Sequence, residues 1–191
     1  MPKIVVLAGS VRAGSWNEKL AAAAARALGE KGGEVSHISL KDYALPLYDA
    51  DLQARSGVPD AAKRLVDLFL DHQGVFVASP EYNASFPPLL KNTFDWMSRE
   101  SRDGLPPLPA FKRRVFALGA VSNGAMGGYR GLTQLRQMME LGLGAFVLPQ
   151  MAVVPGASEA FDADGRLANP RTSGVFDAVI DSLLDASERM A

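Results

Sequence analysis

The residues best suited to chemistry fall in three short stretches. The first is Gly9-Ser10-Val11-Arg12-Ala13-Gly14-Ser15-Trp16-Asn17. An apolar run precedes it and an Ala/Leu-rich run follows, so it joins a strand to a helix. A phosphate docked there meets free backbone N–H groups and the positive end of the helix dipole. Ser10, Ser15 and Asn17 add neutral donors, and Arg12 adds a planar charged fork suited to phosphate oxygens. Hydroxyls with one arginine suit a terminal monophosphate better than a bridging pyrophosphate. Neither the G-x-G-x-x-G of dinucleotide-binding folds nor the G-K-[ST] of P-loops is present. The alternative is a plain turn with Ser15 or Asn17 as helix N-cap. For Trp16, packing competes with contact to a ligand.

The second stretch is Ser79-Pro80-Glu81-Tyr82-Asn83-Ala84-Ser85-Phe86-Pro87-Pro88. Its prolines stiffen the backbone. A stiff loop holds main-chain N–H and C=O groups against the polar edge of a flat heterocycle. Tyr82 suits the face of such a ring, and Asn83 offers both a donor and an acceptor. Glu81 reads as a loop organiser accepting backbone N–H bonds, with proton transfer as the lesser alternative. The third stretch, from Ser122 through Gly124 to Arg130, is glycine-rich. Arg130 suits either a nicotinamide phosphate or an ion pair between subunits.

These stretches need a scaffold that brings them together. Residues 3–8, 34–40, 74–79 and 114–121 read as strands, and the apolar pieces 145–148 and 151–154 belong to a fifth. Residues 17–30, 59–72, 89–97, 132–143 and 176–190 read as helices. Residues 41–58 form an irregular stretch, and 101–110 form a proline-rich loop. Alternating strands and helices imply parallel βαβ units with right-handed crossovers. The expected fold is α/β: a doubly wound five-stranded parallel sheet in the order 2-1-3-4-5, with helices on both faces. Ligands in such sheets bind beyond the carboxyl ends of the strands, so the three loops form one site. No linker or repeat divides residues 1–191, which read as a single domain.

Composition narrows the chemistry. The 191 residues carry a net charge of −1, which gives no long-range attraction to nucleic acid or an anionic membrane. There is no cysteine, so disulfides, cysteine-bound metals and thiol nucleophiles are excluded. Two histidines, His37 and His72, with no carboxylate cluster beside them, argue against a metal site. The apolar run at the start is too short to span a membrane or to act as a secretory signal, so a cytoplasmic protein is expected.

The motif Gly9-Ser10-x-Arg12-x-x-Ser15-x-Asn17-x-x-Leu20 is followed by Pro80-Glu81-Tyr82-Asn83-x-Ser85-x-Pro87 and Leu90-Lys91-Asn92-x-x-Asp95-Trp96-x-Ser98-Arg99. Ser122-x-Gly124-x-x-Gly127-Gly128-x-Arg130-x-x-x-Gln134-Leu135-Arg136 completes the set. Together they resemble the NADPH-dependent FMN reductases, a group that includes chromate, azo and quinone reductases. The resemblance implies a flavodoxin-like fold, bound FMN, NADPH or NADH as co-substrate, and a homodimer or homotetramer. By position, Ser10, Arg12, Ser15 and Asn17 would hold the FMN phosphate. Pro80, Glu81, Tyr82 and Asn83 would lie along the flavin, and Ser122 and Gly124 would close the third side. The implied reaction passes hydride from reduced nicotinamide through FMN to a flavin, quinone or similar small acceptor, by a ping-pong mechanism. The cofactor carries the chemistry, so no residue is assigned a catalytic role. A non-catalytic electron carrier or redox-responsive binding protein is the alternative, which the weak net charge disfavours.

One helix also bears on assembly. Leu89, Leu90, Phe94 and Met97 recur at helical spacing, and Thr93 and Trp96 widen the stripe. That is more apolar surface than one sheet face readily hides, which predicts a two-fold contact between subunits at this helix. The alternative is that Trp96 packs beneath the 101–110 loop.

Overall fold

A computed structural model describes residues 1–102 and 104–190. Positions 103 and 191 lie outside the described residues; the first falls in the expected 101–110 loop, the second at the end of the expected single domain. Five parallel strands form one sheet: β1 (Lys3–Ala8), β2 (Glu34–Ile38), β3 (Gly74–Ala78), β4 (Val115–Val121) and β5 (Phe146–Val154). Their order is β2-β1-β3-β4-β5, as expected.

Both faces of the sheet are covered, which is why β1, β3 and β4 read as unbroken apolar runs. Ile4, Val6 and Ala8 point to one side, where α1 (Trp16–Glu30) and α6 (Pro170–Glu188) bury Leu20, Ala24, Val179 and Ile180. Val5 and Leu7 point to the other side. There α3 (Asp60–Leu70), α4 (Pro88–Ser98) and α5 (Tyr129–Gln137) bury Leu65, Phe69, Leu90, Phe94 and Leu132. The period-two alternation of the strands thus feeds two cores.

Several boundaries differ from expectation. β2 stops at Ile38, and Leu40–Tyr43 turns in a short 3₁₀ helix. The irregular stretch 41–58 holds a helix, α2 (Ala50–Ser56), capped where Asp49 Oδ1 accepts the Leu52 N–H at 2.6 Å. No residue of α2 is buried, so it leaves no apolar periodicity in the sequence. α5 starts three residues before position 132 and runs on into a π-helical turn, Met138–Gly142. α6 starts at Pro170, where Asn169 accepts the N–H groups of Arg171 and Thr172 and proline occupies the first turn.

The two apolar pieces near 145–154 are one strand with an irregularity. Phe116 pairs with Val147 and Leu118 with Met151, so β5 carries extra residues around Pro149. Proline has no N–H for the ladder and sits on the sheet edge, as it must. Arg136 donates to the carbonyls of Leu148 and Pro149, which the irregularity would otherwise leave unpaired.

The surplus apolar stripe on α4 is not surplus. Trp96 is fully buried within the chain. Its Nε1 donates to Pro46 O at 2.8 Å, and its ring meets Tyr48 edge-on at 5.1 Å. Asn92 fastens the same segment, accepting from Tyr48 N at 2.7 Å and donating to Pro46 O at 2.9 Å. Trp96 therefore packs under residues 46–48 of its own chain, and its buried indole has no surface to offer a second subunit. The irregular stretch hides it with the Pro46 carbonyl and the Tyr48 ring, which no apolar pattern announces.

Arg114 opens β4 and closes α3. Its guanidinium donates to the carbonyls of Phe69, Leu70, Pro109 and Lys112. Burial first, and the neighbouring Arg113 charge second, push it below the usual arginine value. Arg114→Met should strip these carbonyls of donors and destabilise the protein by about 2–3 kcal/mol. Arg114→Lys should recover only part of that, because a point charge cannot serve four carbonyls in a fan. Urea denaturation of the three proteins checks both expectations.

Candidate functional site

Three backbone bonds set the level of the site. The Gly9 N–H donates to Ala78 O at 2.8 Å, Ser79 N–H to Gly119 O at 2.8 Å, and Ser122 N–H to Val154 O at 3.1 Å. The sheet ladder thus continues one step beyond β1, β3 and β4, and their loops leave at one height. Between these loops lies a cavity of about 180 Å³. Ser10, Arg12, Ser15, Trp16 and Asn17 line it from the first loop, Pro80, Glu81 and Tyr82 from the second, and Ser122 from the third. Val121 and Asn123, neither of them among the expected site residues, complete the wall. Asn83 and Gly124 stand off that wall: Asn83 is exposed at the tip of its loop, and Gly124 N–H donates to Ser122 Oγ at 3.2 Å.

A second cavity of about 270 Å³ adjoins the first through Ser10, Arg12 and Tyr82. Its other walls are Gly9, Val11, Pro87, Pro88 and Leu89, and it is mainly apolar. The cleft therefore has a polar end at the start of α1 and an apolar end beside α4.

At the polar end, Ser15 occupies the N-cap position of α1, but its hydroxyl makes no capping bond. Asn17 does not cap either. Its Oδ1 accepts Val121 N–H at 3.0 Å and its Nδ2 donates to Val121 O at 3.1 Å, so it clamps α1 to the end of β4. The first-turn N–H groups of α1 thus stay free of side-chain caps, and the dipole end is unneutralised beside the cavity. Arg12 is exposed and lies along its own loop, with Nη1 3.2 Å from Ala13 O and Nη2 3.5 Å from Gly14 O.

The second loop turns back on itself. Tyr82 and Ser85 exchange backbone bonds at 2.8 and 3.0 Å. Asn83 and Ala84 both adopt positive φ, 51° and 61°. This is the geometry of a type I′ turn built without glycine, and a left-handed alanine costs about 1–2 kcal/mol. Glu81, with its side chain 8% exposed, accepts from Arg130 Nε at 2.9 Å and from Gly131 N–H at 3.0 Å. Burial would raise its carboxyl; the Arg130 hydrogen bond, the Gly131 N–H and the Arg130 charge outweigh that and hold it below the usual glutamate range. The stabilisation from charged Glu81 is thus present above that range and fades as pH falls through the lowered value.

Glu81 is the loop organiser the sequence suggested. Arg130 pairs within its own chain, a partnership across 49 residues that no local spacing reveals. In the third loop, Gly128 has φ 92°, and a Cβ there would lie 2.5 Å from Ala120 Cβ; only glycine lets α5 start so close to β4. Among the described residues, no three His, Asp or Glu side chains gather as a metal site would need, and no helix is long and apolar enough to cross a membrane.

Residues 2–159 match the family model described as NADPH-dependent FMN reductase. The chain is 33% identical over 176 residues to the quinone reductase of Escherichia coli (strain K12), covering 92% of this chain and 85% of that one. It is 32% identical over 183 residues to an NAD(P)H-dependent FMN reductase of Pseudomonas aeruginosa, covering 95% and 92%. The solved structure of a flavoenzyme NAD(P)H:(acceptor) oxidoreductase from Paracoccus denitrificans superposes with a TM-score of 0.81 at 25% identity, over 99% of this chain and 98% of that one.

Asn17→Asp keeps an acceptor for the Val121 N–H but turns a second oxygen toward Val121 O. It should cost more than about 1.5 kcal/mol in urea denaturation, the worth of a lost hydrogen bond plus an unpaired buried carbonyl. Ala84→Val places a β-branched side chain at positive φ and should destabilise by about 1–2 kcal/mol, whereas Ala84→Gly should not lower the melting temperature.

Proposed function

The chain belongs to the NADPH-dependent FMN reductase family, and from that premise we propose that residues 1–191 form one FMN-binding domain whose cleft passes reducing equivalents from NADPH or NADH to a quinone, flavin or similar small acceptor. Family membership makes it an oxidoreductase with FMN as cofactor, against the non-catalytic carrier alternative.

The observation that carries the proposal is the uncapped start of α1, with an unengaged Ser15 hydroxyl, at the polar end of a cleft whose other end is apolar. These residues fit FMN. Ser10, Ser15, Arg12 and the first-turn N–H groups would hold its phosphate. Asn17 holds α1 against β4, and its remaining amide hydrogen is available to the same group. Pro80, Tyr82 and Asn83 would border the flavin ring on one side, and Ser122 with Asn123 and Gly124 on the other. When bound, FMN supplies the hydride and electron transfer chemistry. The protein orients the ring, excludes water from the apolar end, and leaves one opening that nicotinamide and acceptor use by turns.

The expected homodimer or homotetramer no longer rests on α4. It rests on exposed apolar side chains about the cleft, Val11, Tyr82, Met126 and Tyr129, which a second copy would cover. A cytoplasmic location fits the absence of cysteine and is part of the same proposal.

FMN should bind more than tenfold tighter than riboflavin by fluorescence quenching, because each charge-assisted bond to the phosphate is worth about 1.5–3 kcal/mol. Arg12→Ala should narrow that gap. Equal affinities of the wild-type protein would overturn the phosphate assignment. Initial rates with NADPH and a quinone should give parallel double-reciprocal lines; intersecting lines would count against alternating use of one opening.

A further inference from the structure

We propose that Glu81 is a positioning residue and not a flavin contact: its carboxylate fastens the 82–85 turn to the first turn of α5, and that fastening sets how the turn meets the flavin ring. This rests on the FMN reading of the cleft.

The carboxylate is fully employed by α5. Oε1 takes Arg130 Nε at 2.9 Å together with Arg130 Nη2, and Oε2 takes the Gly131 N–H at 3.0 Å. A side chain so engaged has little capacity left for hydrogen bonds to a ring edge. Gly131 supports the same contact from the other partner. A Cβ there would lie 3.0 Å from Ser85 O and 3.2 Å from Glu81 Cβ, so α5 touches both ends of the turn's root. Any larger residue must push the two apart.

The turn needs such an anchor. Asn83 and Ala84 hold left-handed conformations with no glycine to ease them, and strained backbone persists only where its surroundings impose it. Tyr82, at the start of the turn, lines both cavities of the cleft. A shift in the turn therefore moves the wall that Tyr82 gives the cleft, while the groups assigned to the phosphate, all on the first loop and the start of α1, stay in place. Arg130 is 59% exposed, so replacing it leaves the core untouched.

The test uses the full chain stripped of flavin, with Arg130→Met, Arg130→Lys and Gly131→Ala beside the wild type. Affinities for FMN and for riboflavin are read by fluorescence, and the bound flavin by its visible circular dichroism. Arg130→Met and Gly131→Ala should each weaken both ligands by about tenfold, the scale of one charge-assisted hydrogen bond, and alter the visible band. Because the fastening acts on the ring and not the phosphate, the ratio of FMN to riboflavin affinity should keep its wild-type value. Arg130→Lys should restore most of the loss. Wild-type affinity and spectrum in Arg130→Met would overturn the proposal, and so would a ratio that collapses toward one. A wild-type protein that binds no FMN would instead overturn the reading of the cleft itself.

Discussion

Everything at the cleft depends on the level at which three parallel strands end. Ala8 pairs with Ala78 and Ala78 with Gly119, and one further bond beyond each pair carries the ladder into the loops. A sheet covered on both faces has nowhere else to release polar backbone than at its two edges and two ends. The carboxyl end gathers loops of quite different composition, and the common height makes them walls of one space. The hydrophobic effect supplies the energy for this arrangement, but the backbone pairing supplies its geometry.

Side chains then serve as ties between main-chain groups that the ladder leaves over. Asn17 reaches Val121, Arg114 reaches the end of α3, Arg136 reaches the carbonyls about Pro149, and Glu81 reaches the start of α5. Each is a polar group partly or wholly withdrawn from water and each finds its partner across a long stretch of chain. Removing one partner costs more than the bond itself contributed, because the other is left unsatisfied. The ties are thus concentrated where helices must meet loops at fixed angles, while the helix–sheet contacts rely on apolar packing.

The sheet was legible because a strand buried on both faces must be an apolar run, and β1, β3 and β4 are such runs bounded by glycine, serine or charge. The order of the strands followed from reading five such units, with helices on both faces, as a doubly wound sheet. α2 was not legible, since a helix with nothing buried has no face to mark. The cover over Trp96 was not legible either: it consists of the Pro46 carbonyl and the Tyr48 ring, and neither lies in a patterned segment. At the site, the serines and Arg12 announced themselves by type and by position before a helix. Val121 and Asn123 did not, because they line the cavity through where β4 ends and not through what they are. The partnership of Glu81 with Arg130 exists only once the sheet has folded and brought the two loops together.

The placement of the two indoles gives the molecule a pair of separate optical reporters. Trp96 is sealed between α4 and residues 46–48, so its emission follows the integrity of the packed interior. Trp16 is partly open at the mouth of the polar cavity, with the Lys19 ammonium 4.6 Å from its ring centroid, so its emission follows what occupies that mouth. A yellow chromophore in the cleft absorbs where indoles emit and would quench both, Trp16 by direct contact at the mouth as well as by energy transfer. In the flavin-free chain the state of the mouth and the packing of the interior are thereby written into different residues, and Trp16→Phe or Trp96→Phe would leave the other to be heard alone.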